Sequence, residues 1–167
     1  MTSVPGTREP FDPTDVTWTP VSDRLTGARL TTTAIVLGPV LVLAVLLAVL
    51  VGETWLWVFP VGVLLLFGWI AWLVPRQVRA LAYAERADDL LVRRGIVFRS
   101  LVVVPYGRMQ YVDVNAGPLA RRFGIASVQL HTASSATSAS IEGLPPHEAA
   151  RLRDRMASRG EARLAGL

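Results

Sequence analysis

The chain has 167 residues, of which 51% are hydrophobic and only 18% are charged, and its mean hydropathy is positive. This composition is typical of a membrane protein and not of an ordinary soluble domain. The sequence contains no Cys and 2 His, and its 17 basic residues are all Arg, which leaves a net charge of +4. Disulfides, thiolate catalysis, iron–sulfur clusters and lysine Schiff bases are therefore excluded, and a metal site is not expected.

The N-terminal residues 1–30 are polar and contain several Pro residues. Such a composition predicts a flexible segment, because it offers little apolar surface to bury. Within this segment, residues Val21–Arg29 predict a short interfacial helix with three apolar side chains on one side, namely Val21, Leu25 and Ala28.

Two apolar runs, Thr31–Val51 and Thr54–Val74, follow this segment, and each contains 21 residues. A helix of that length spans about 31 Å, which matches a hydrocarbon core of about 30 Å. Buried helices of a soluble domain are disfavoured because the rest of the chain is too short to cover them, and a cleaved signal peptide is disfavoured because a second run follows. Residues 31–75 are therefore predicted to form a two-helix transmembrane hairpin.

The arginines near the hairpin predict its orientation, because loops on the cytoplasmic side are enriched in basic residues. No arginine lies in the short turn between the spans. Five arginines flank the spans: Arg24, Arg29, Arg76, Arg79 and Arg86. Both termini are therefore expected in the cytoplasm, with two spans in the plasma membrane. Glu53, in the turn, is the single charged residue between Leu30 and Pro75, so a membrane anchor is favoured over a transporter.

The remaining soluble part, residues 76–159, is predicted to be a β-rich cytoplasmic domain, with a short C-terminal tail at 160–167. Gly117–Gly124, with Gly and Pro at its edges, is expected to be a connection between strands. Short runs rich in apolar and β-branched residues predict the strands Val78–Glu85, Leu90–Arg94, Ile96–Val104, Met109–Asn115, Ile125–Thr132 and Ala136–Ile141.

An amphipathic helix is predicted after Pro145 and Pro146, because Pro is favourable at a helix start. Glu148 and Arg151 are placed to pair at i, i+3. Three apolar residues share one face of this helix: Ala149, Leu152 and Met156. The predicted fold class is therefore a membrane α+β protein, in which a transmembrane helical hairpin precedes a small antiparallel β-barrel or sandwich with a C-terminal helix.

A family resemblance rests on residues Leu90–Thr132, which read LLVRRGIVFRSLVVVPYGRMQYVDVNAGPLARRFGIASVQLHT. The pattern is strand, Gly, strand, a Pro-containing step into alternating Val residues, and a Gly-x-x-x-Arg-x-Phe-Gly segment. The residues that match it are Gly95, Pro105, Val112, Val114, Gly117, Arg121, Phe123 and Gly124. Together with the preceding hairpin, this pattern resembles the bacterial pleckstrin-homology-like (PH) family of the membrane-anchored type. The resemblance implies a small β-barrel or sandwich closed by a helix, and it implies no catalytic site.

The candidate contact residues are the basic pairs Arg76 and Arg79, Arg93 and Arg94, and Arg121 and Arg122. Each basic side chain near an anionic leaflet contributes about 1 kcal/mol to attraction. The alternative interpretation is a topology signal combined with ordinary solvated strand edges. On one strand, Arg93 and Arg94 would point to opposite faces and could not form one patch.

The expected function is that of a non-catalytic membrane-anchored module, because no nucleophile elbow or phosphate-binding loop is present. Such a module would bind a protein partner or a second copy of itself at the cytoplasmic face of the bacterial inner membrane, for example as an accessory subunit of a larger complex. The alternative is a module that senses anionic lipid or envelope stress. No cofactor, nucleic acid or small-molecule substrate is expected.

Overall fold

The computed structural model describes residues 16–96, 98–132 and 138–165, and it describes side chains as far as residue 160. Within these ranges the helices are α1 (Arg24–Val51), α2 (Val58–Arg79), α3 (Pro118–Arg122) and α4 (Pro146–Ala165). The strands are β1 (Thr19–Pro20), β2 (Ala82–Glu85), β3 (Asp89–Arg94), β4 (Ser100–Pro105), β5 (Met109–Asn115), β6 (Ala126–Thr132) and β7 (Ala139–Leu144).

Helices α1 and α2 form the transmembrane hairpin that the apolar runs predict. A single 3₁₀ turn, Thr54–Trp57, joins them, and α1 ends at Gly52 with a positive φ of 75°. In the most apolar stretches of the two helices, only 6% and 11% of the residues are buried. A core helix of a soluble protein would be largely buried, so these surfaces require lipid around them.

The beginning of α1 corrects the prediction for residues 1–30. There is no separate interfacial helix, because α1 runs unbroken from Arg24 into the span. Thr19 and Pro20 pair with β2, while Val21, Leu25 and Ala28 are buried in the core of the C-terminal domain. The apolar side chains predicted for a membrane surface therefore pack on protein, and residues 19–30 belong to the folded structure. Residues 1–15 lie outside the described residues.

The end of α2 corrects the predicted strand Val78–Glu85. The helix continues through Arg79, and only Ala82–Glu85 is a strand. Val74 and Val78 lie one helical turn apart and are both buried in the domain core, so packing keeps this segment helical. The second span therefore enters the domain without a flexible linker.

The domain contains two antiparallel sheets, in the orders β1-β2-β3-β4 and β5-β6-β7. Asp89 pairs with Pro105 and Arg94 with Ser100 at the two ends of the β3–β4 hairpin. Gly95, Ile96, Phe98 and Arg99 consequently lie in its turn, so the predicted strand Ile96–Val104 begins too early; Val97 lies outside the described residues. Strand β6 follows its predicted alternation, with Ala126, Val128 and Leu130 buried.

The segment Gly117–Gly124 connects β5 and β6, and it contains the short helix α3, which begins with Pro118 at its favoured first position. The prediction for β7 needs a correction. The last strand is Ala139–Leu144 rather than Ala136–Ile141, and residues 133–137 lie outside the described residues. Gly143 has a φ of 76° on this strand, and its missing Cβ makes room for Leu25 of α1.

Helix α4 closes the domain against β5 and β6, as the amphipathic pattern predicts. Ala149, Leu152 and Met156 are almost completely buried in the single core cluster. The backbone of α4 stays helical to Ala165, so most of the predicted tail at 160–167 continues this helix.

Candidate functional site

The β3–β4 turn, Gly95–Arg99, lies beside the end of α2 where the second span enters the domain. Gly95 has a φ of 95°, and a Cβ at this position would collide with the carbonyl oxygen of Phe98. Only Gly fits such a closed turn, because both the positive φ and the backbone contact exclude a side chain. The tight turn places residues of β3 and β4 next to the last turn of α2.

Four arginines from these two elements line one cleft, which we call the arginine cleft. Its volume is about 310 Å³, and the lining residues are Arg76, Arg79, Ala80, Arg93, Gly95, Ile96 and Arg99. The described residues that line it include no acidic side chain. The described lining thus brings four guanidinium groups around a space that would hold a small anionic group.

Two of the arginines are oriented by aromatic rings. The guanidinium of Arg76 lies 3.3 Å from the ring centroid of Trp72, and that of Arg93 lies 4.6 Å from the ring centroid of Trp18. Stacking of this kind holds the plane of a guanidinium against the face of a ring. Trp72 is an interfacial residue of the second span, so Arg76 is fixed at the membrane surface.

An apolar groove lies on the other face of the same turn, with a volume of about 550 Å³. The residues that line this apolar groove are Arg29, Leu73, Gln77, Leu81, Arg94, Gly95, Ile96, Phe98 and Ser100. Phe98 is 90% exposed, and it stands at the tip of the turn. The turn thus has a basic face and an apolar face, both next to the spans.

The structure brings together three of the six arginines that the sequence singles out. Arg76, Arg79 and Arg93 line the arginine cleft, whereas Arg94 lines the apolar groove on the opposite face of the strand. Arg121 and Arg122 line neither of these pockets, and both are exposed on α3.

Sequence reasoning missed Arg99 because it placed this residue inside a strand. A turn signal was available, since Gly95 separates the β-branched run from the preceding strand. The pairing of Arg94 with Ser100 shows that the chain reverses across residues 95–99. Arg99 therefore faces back toward α2 and completes the arginine cleft.

A second polar cluster lies where α4 begins, at a distance along the fold from the β3–β4 turn. Arg151 pairs with Glu148 and Glu85 at 2.6 Å each, and Arg155 pairs with Glu85 at 3.1 Å. The hydroxyl of Tyr83 donates a 2.8 Å hydrogen bond to Glu148, and burial raises the pKa of that hydroxyl. These pairs fasten α4 to β2, which is a structural role.

In this cluster, the carboxylate of Glu148 has a pKa well below its ordinary value. Hydrogen bonds from Arg151 lower the pKa of Glu148 to about 2, and the phenol of Tyr83 contributes in the same direction. The same contacts raise the pKa of Arg151 above its usual range. Among the described residues, no group of three or more His, Asp and Glu side chains is arranged to hold a metal ion.

Part of the chain is similar to part of a known membrane protein. The UPF0699 transmembrane protein YdbS of Bacillus subtilis (strain 168) is 39% identical to this chain over 72 residues. The match covers 43% of this chain and 44% of that protein, so the chain spans less than half of the relative. No solved structure matches the chain at a significant level.

A family model described as the bacterial PH domain matches residues 25–160. This range contains nearly all of α1, the whole of α2, every strand from β2 to β7, and most of α4. The match includes the hairpin as well as the sheets, in agreement with a structure in which the spans enter the domain core. The chain therefore belongs to the bacterial PH domain family, in a form that carries a two-helix transmembrane hairpin.

Proposed function

We propose that this protein is a non-catalytic, membrane-anchored module whose arginine cleft binds the phosphate-bearing headgroup of an anionic phospholipid. The observation that carries the proposal is the convergence of four arginines from two separate elements on one cleft where α2 leaves the bilayer. Arg76 and Arg79 come from the span itself, and Arg93 and Arg99 come from the β3–β4 hairpin.

The chemistry of the cleft favours a phosphate over other anions. Each guanidinium presents a planar fork of N–H donors that matches two phosphate oxygens, and charge-assisted hydrogen bonds of this kind are among the strongest in proteins. A headgroup phosphate carries several oxygens, so it can accept hydrogen bonds from guanidinium groups that reach it from different elements.

A topology signal alone does not account for this arrangement. The positive-inside preference acts on residues close to the ends of the spans, which describes Arg76 and Arg79. It does not require Arg93 and Arg99, which follow a further strand and turn, to converge with the first two on one cleft. We place the domain at the cytoplasmic leaflet, where anionic lipids give the membrane surface its negative potential.

Native mass spectrometry of the full chain in detergent micelles tests the proposal directly. The protein is mixed with phosphatidylglycerol or with phosphatidylcholine, and the number of retained lipids is counted. We expect preferential retention of phosphatidylglycerol, and we expect the double variant R79Q/R99Q to lose most of that preference. Both substituted side chains are exposed, so the fold should tolerate the change.

The matched control is the double variant R121Q/R122Q, which removes the same charge from exposed positions outside the cleft. It should retain phosphatidylglycerol as the parent chain does. Equal losses in the two double variants would show diffuse attraction instead of a built site, and they would overturn the proposal. Absence of any preference in the parent chain would do the same.

Protein binding is a second candidate, which a different observation favours. In the described part of the chain, β4 is the edge strand of its sheet, and Val103 on it is 40% exposed. An exposed edge rich in β-branched residues can accept an additional strand from a partner or from a second copy. A photo-crosslinking amino acid at Val103 in native membranes should then capture a discrete protein adduct, and its absence would remove this candidate.

A further inference from the structure

We infer that Phe98, at the tip of the β3–β4 turn, inserts into the bilayer beside the two spans, so that the domain contacts the membrane at a second point. The partner of this surface is the acyl-chain boundary of the same leaflet. The contact is apolar, and it goes beyond headgroup binding in the arginine cleft on the opposite face of the turn.

The apolar groove connects Phe98 with residues at the ends of the two spans. Phe98 and Ile96 line it together with Leu73 of the second span and Arg29 of the first. Leu73 lies next to the interfacial Trp72 and one turn before Arg76, so it marks the boundary between hydrocarbon and headgroups. The groove extends from Leu73 to Leu81, so it connects Phe98 with the segment where the second span leaves this boundary. The transmembrane surface is thus continuous with the surface that Phe98 presents.

The conformation of the turn directs Phe98 outward. Gly95 has a positive φ and lies against the backbone of Phe98, and the side chain of Phe98 is 90% exposed. In the described part of the domain, every other Phe or Tyr is buried or better covered than Phe98. A large aromatic side chain held in this way costs free energy in water, and its placement next to two spans is explained by lipid.

The residues on either side of Phe98 suit a membrane interface. Arg94 lines the apolar groove, and Arg99 follows Phe98 directly. An apolar tip bordered by arginines allows the ring to enter the boundary while the guanidinium groups stay among the headgroups. The turn therefore has the amphipathic character of an interfacial anchor.

Spin-label depth measurements on the full chain in bilayers test the inference, and the absence of native Cys makes single-site labelling clean. A label at F98C should collide with oxygen, which partitions into lipid, more than with a water-soluble nickel complex. The control is A87C in the β2–β3 turn, at the other end of β3, about 20 Å away. Its label should show the reverse preference.

A second label avoids replacing the aromatic ring. The label at S100C, at the foot of the turn, should report a headgroup depth with Phe98 in place and should move outward toward water in the F98D background. A water-exposed label at F98C, or no change at S100C between the two backgrounds, would overturn the inference. A label at F98C that neither relaxer reaches would also overturn it, because it would indicate a protein partner covering the ring.

These experiments can overturn headgroup binding and Phe98 insertion independently of each other. Insertion predicts the same depth at F98C in pure phosphatidylcholine bilayers and in the R79Q/R99Q background, because the contact needs no anionic lipid. A shallow label with preserved phosphatidylglycerol retention would overturn insertion and leave the arginine cleft intact.

Discussion

Arg29 of α1 donates a 2.9 Å hydrogen bond to the carboxylate of Glu142 on β7. This pair joins the first transmembrane helix to the far sheet of the domain. Close packing surrounds it: a Cβ on Gly27 would lie 2.9 Å from the Phe123 ring, and one on Gly143 would lie 2.8 Å from Leu25. The first span and the domain consequently form one packed unit.

The contact between Gly143 and Leu25 predicts a destabilising substitution. Gly143→Ala introduces a Cβ that collides with Leu25 and forces a non-Gly residue to a φ of 76°. We expect a loss of about 1–3 kcal/mol in unfolding free energy. Thermal unfolding in mild detergent measures it. The control is Gly160→Ala on α4, where the nearest described neighbour is 3.8 Å away, and where Ala should be neutral or stabilising.

The ion pair itself is predicted to matter far less than the packing. The side chains of Arg29 and Glu142 are 32% and 49% exposed, and exposed pairs contribute less than about 1 kcal/mol. Glu142→Gln should therefore change the unfolding midpoint only slightly. A loss as large as that of Gly143→Ala would show that this salt bridge, and not the glycine packing, attaches the span to the domain.

Gly95 is predicted to control both faces of the β3–β4 turn. Gly95→Ala places a Cβ against the backbone of Phe98, which cannot move aside as a side chain can. The turn must open, so Arg99 should leave the arginine cleft and phosphatidylglycerol retention should fall several-fold. Gly62→Ala, in an open part of the second span, is the control. If the Gly95→Ala variant retained phosphatidylglycerol as the parent chain does, the shape of the turn would not matter for binding in the arginine cleft.

Acid should weaken the attachment of α4 through Glu148. The pKa of this group is about 2 in the folded domain, below its ordinary value of 4.5, because Arg151 hydrogen-bonds to the carboxylate. The group therefore stabilises the fold fully above about pH 4.5, and this contribution is lost as the pH falls from there toward 2. Glu148→Gln should reduce the difference between unfolding midpoints at about pH 6 and about pH 3. Asp154→Asn, an exposed acid on the same helix, should leave that difference unchanged.

The sequence predicts those parts of the fold that depend on local pattern. Continuous apolar runs identify both spans, strict alternation identifies β6, and a 3.6-residue period identifies α4. It does not predict contacts between distant residues. The apolar side of Val21, Leu25 and Ala28 has the same appearance whether lipid or a sheet covers it, and only the fold shows that a sheet does.

The arginine cleft was predictable only in part for the same reason. Basic clusters near the spans are visible in the sequence, so Arg76, Arg79 and Arg93 were candidates. Which of them meet depends on the register of β3 with β4 and on the closed turn at Gly95. That register separates Arg93 from Arg94, adds Arg99 and leaves Arg121 and Arg122 elsewhere.

The most direct test of the account is the orientation of the hairpin, because the proposed lipid site requires the domain to face the anionic cytoplasmic leaflet. Single Cys residues at Glu53, in the turn between the spans, and at Ala87, in the domain, are labelled in whole cells with a membrane-impermeant maleimide. We predict that E53C reacts in intact cells and that A87C reacts only after permeabilisation. Labelling of A87C in intact cells would contradict the account.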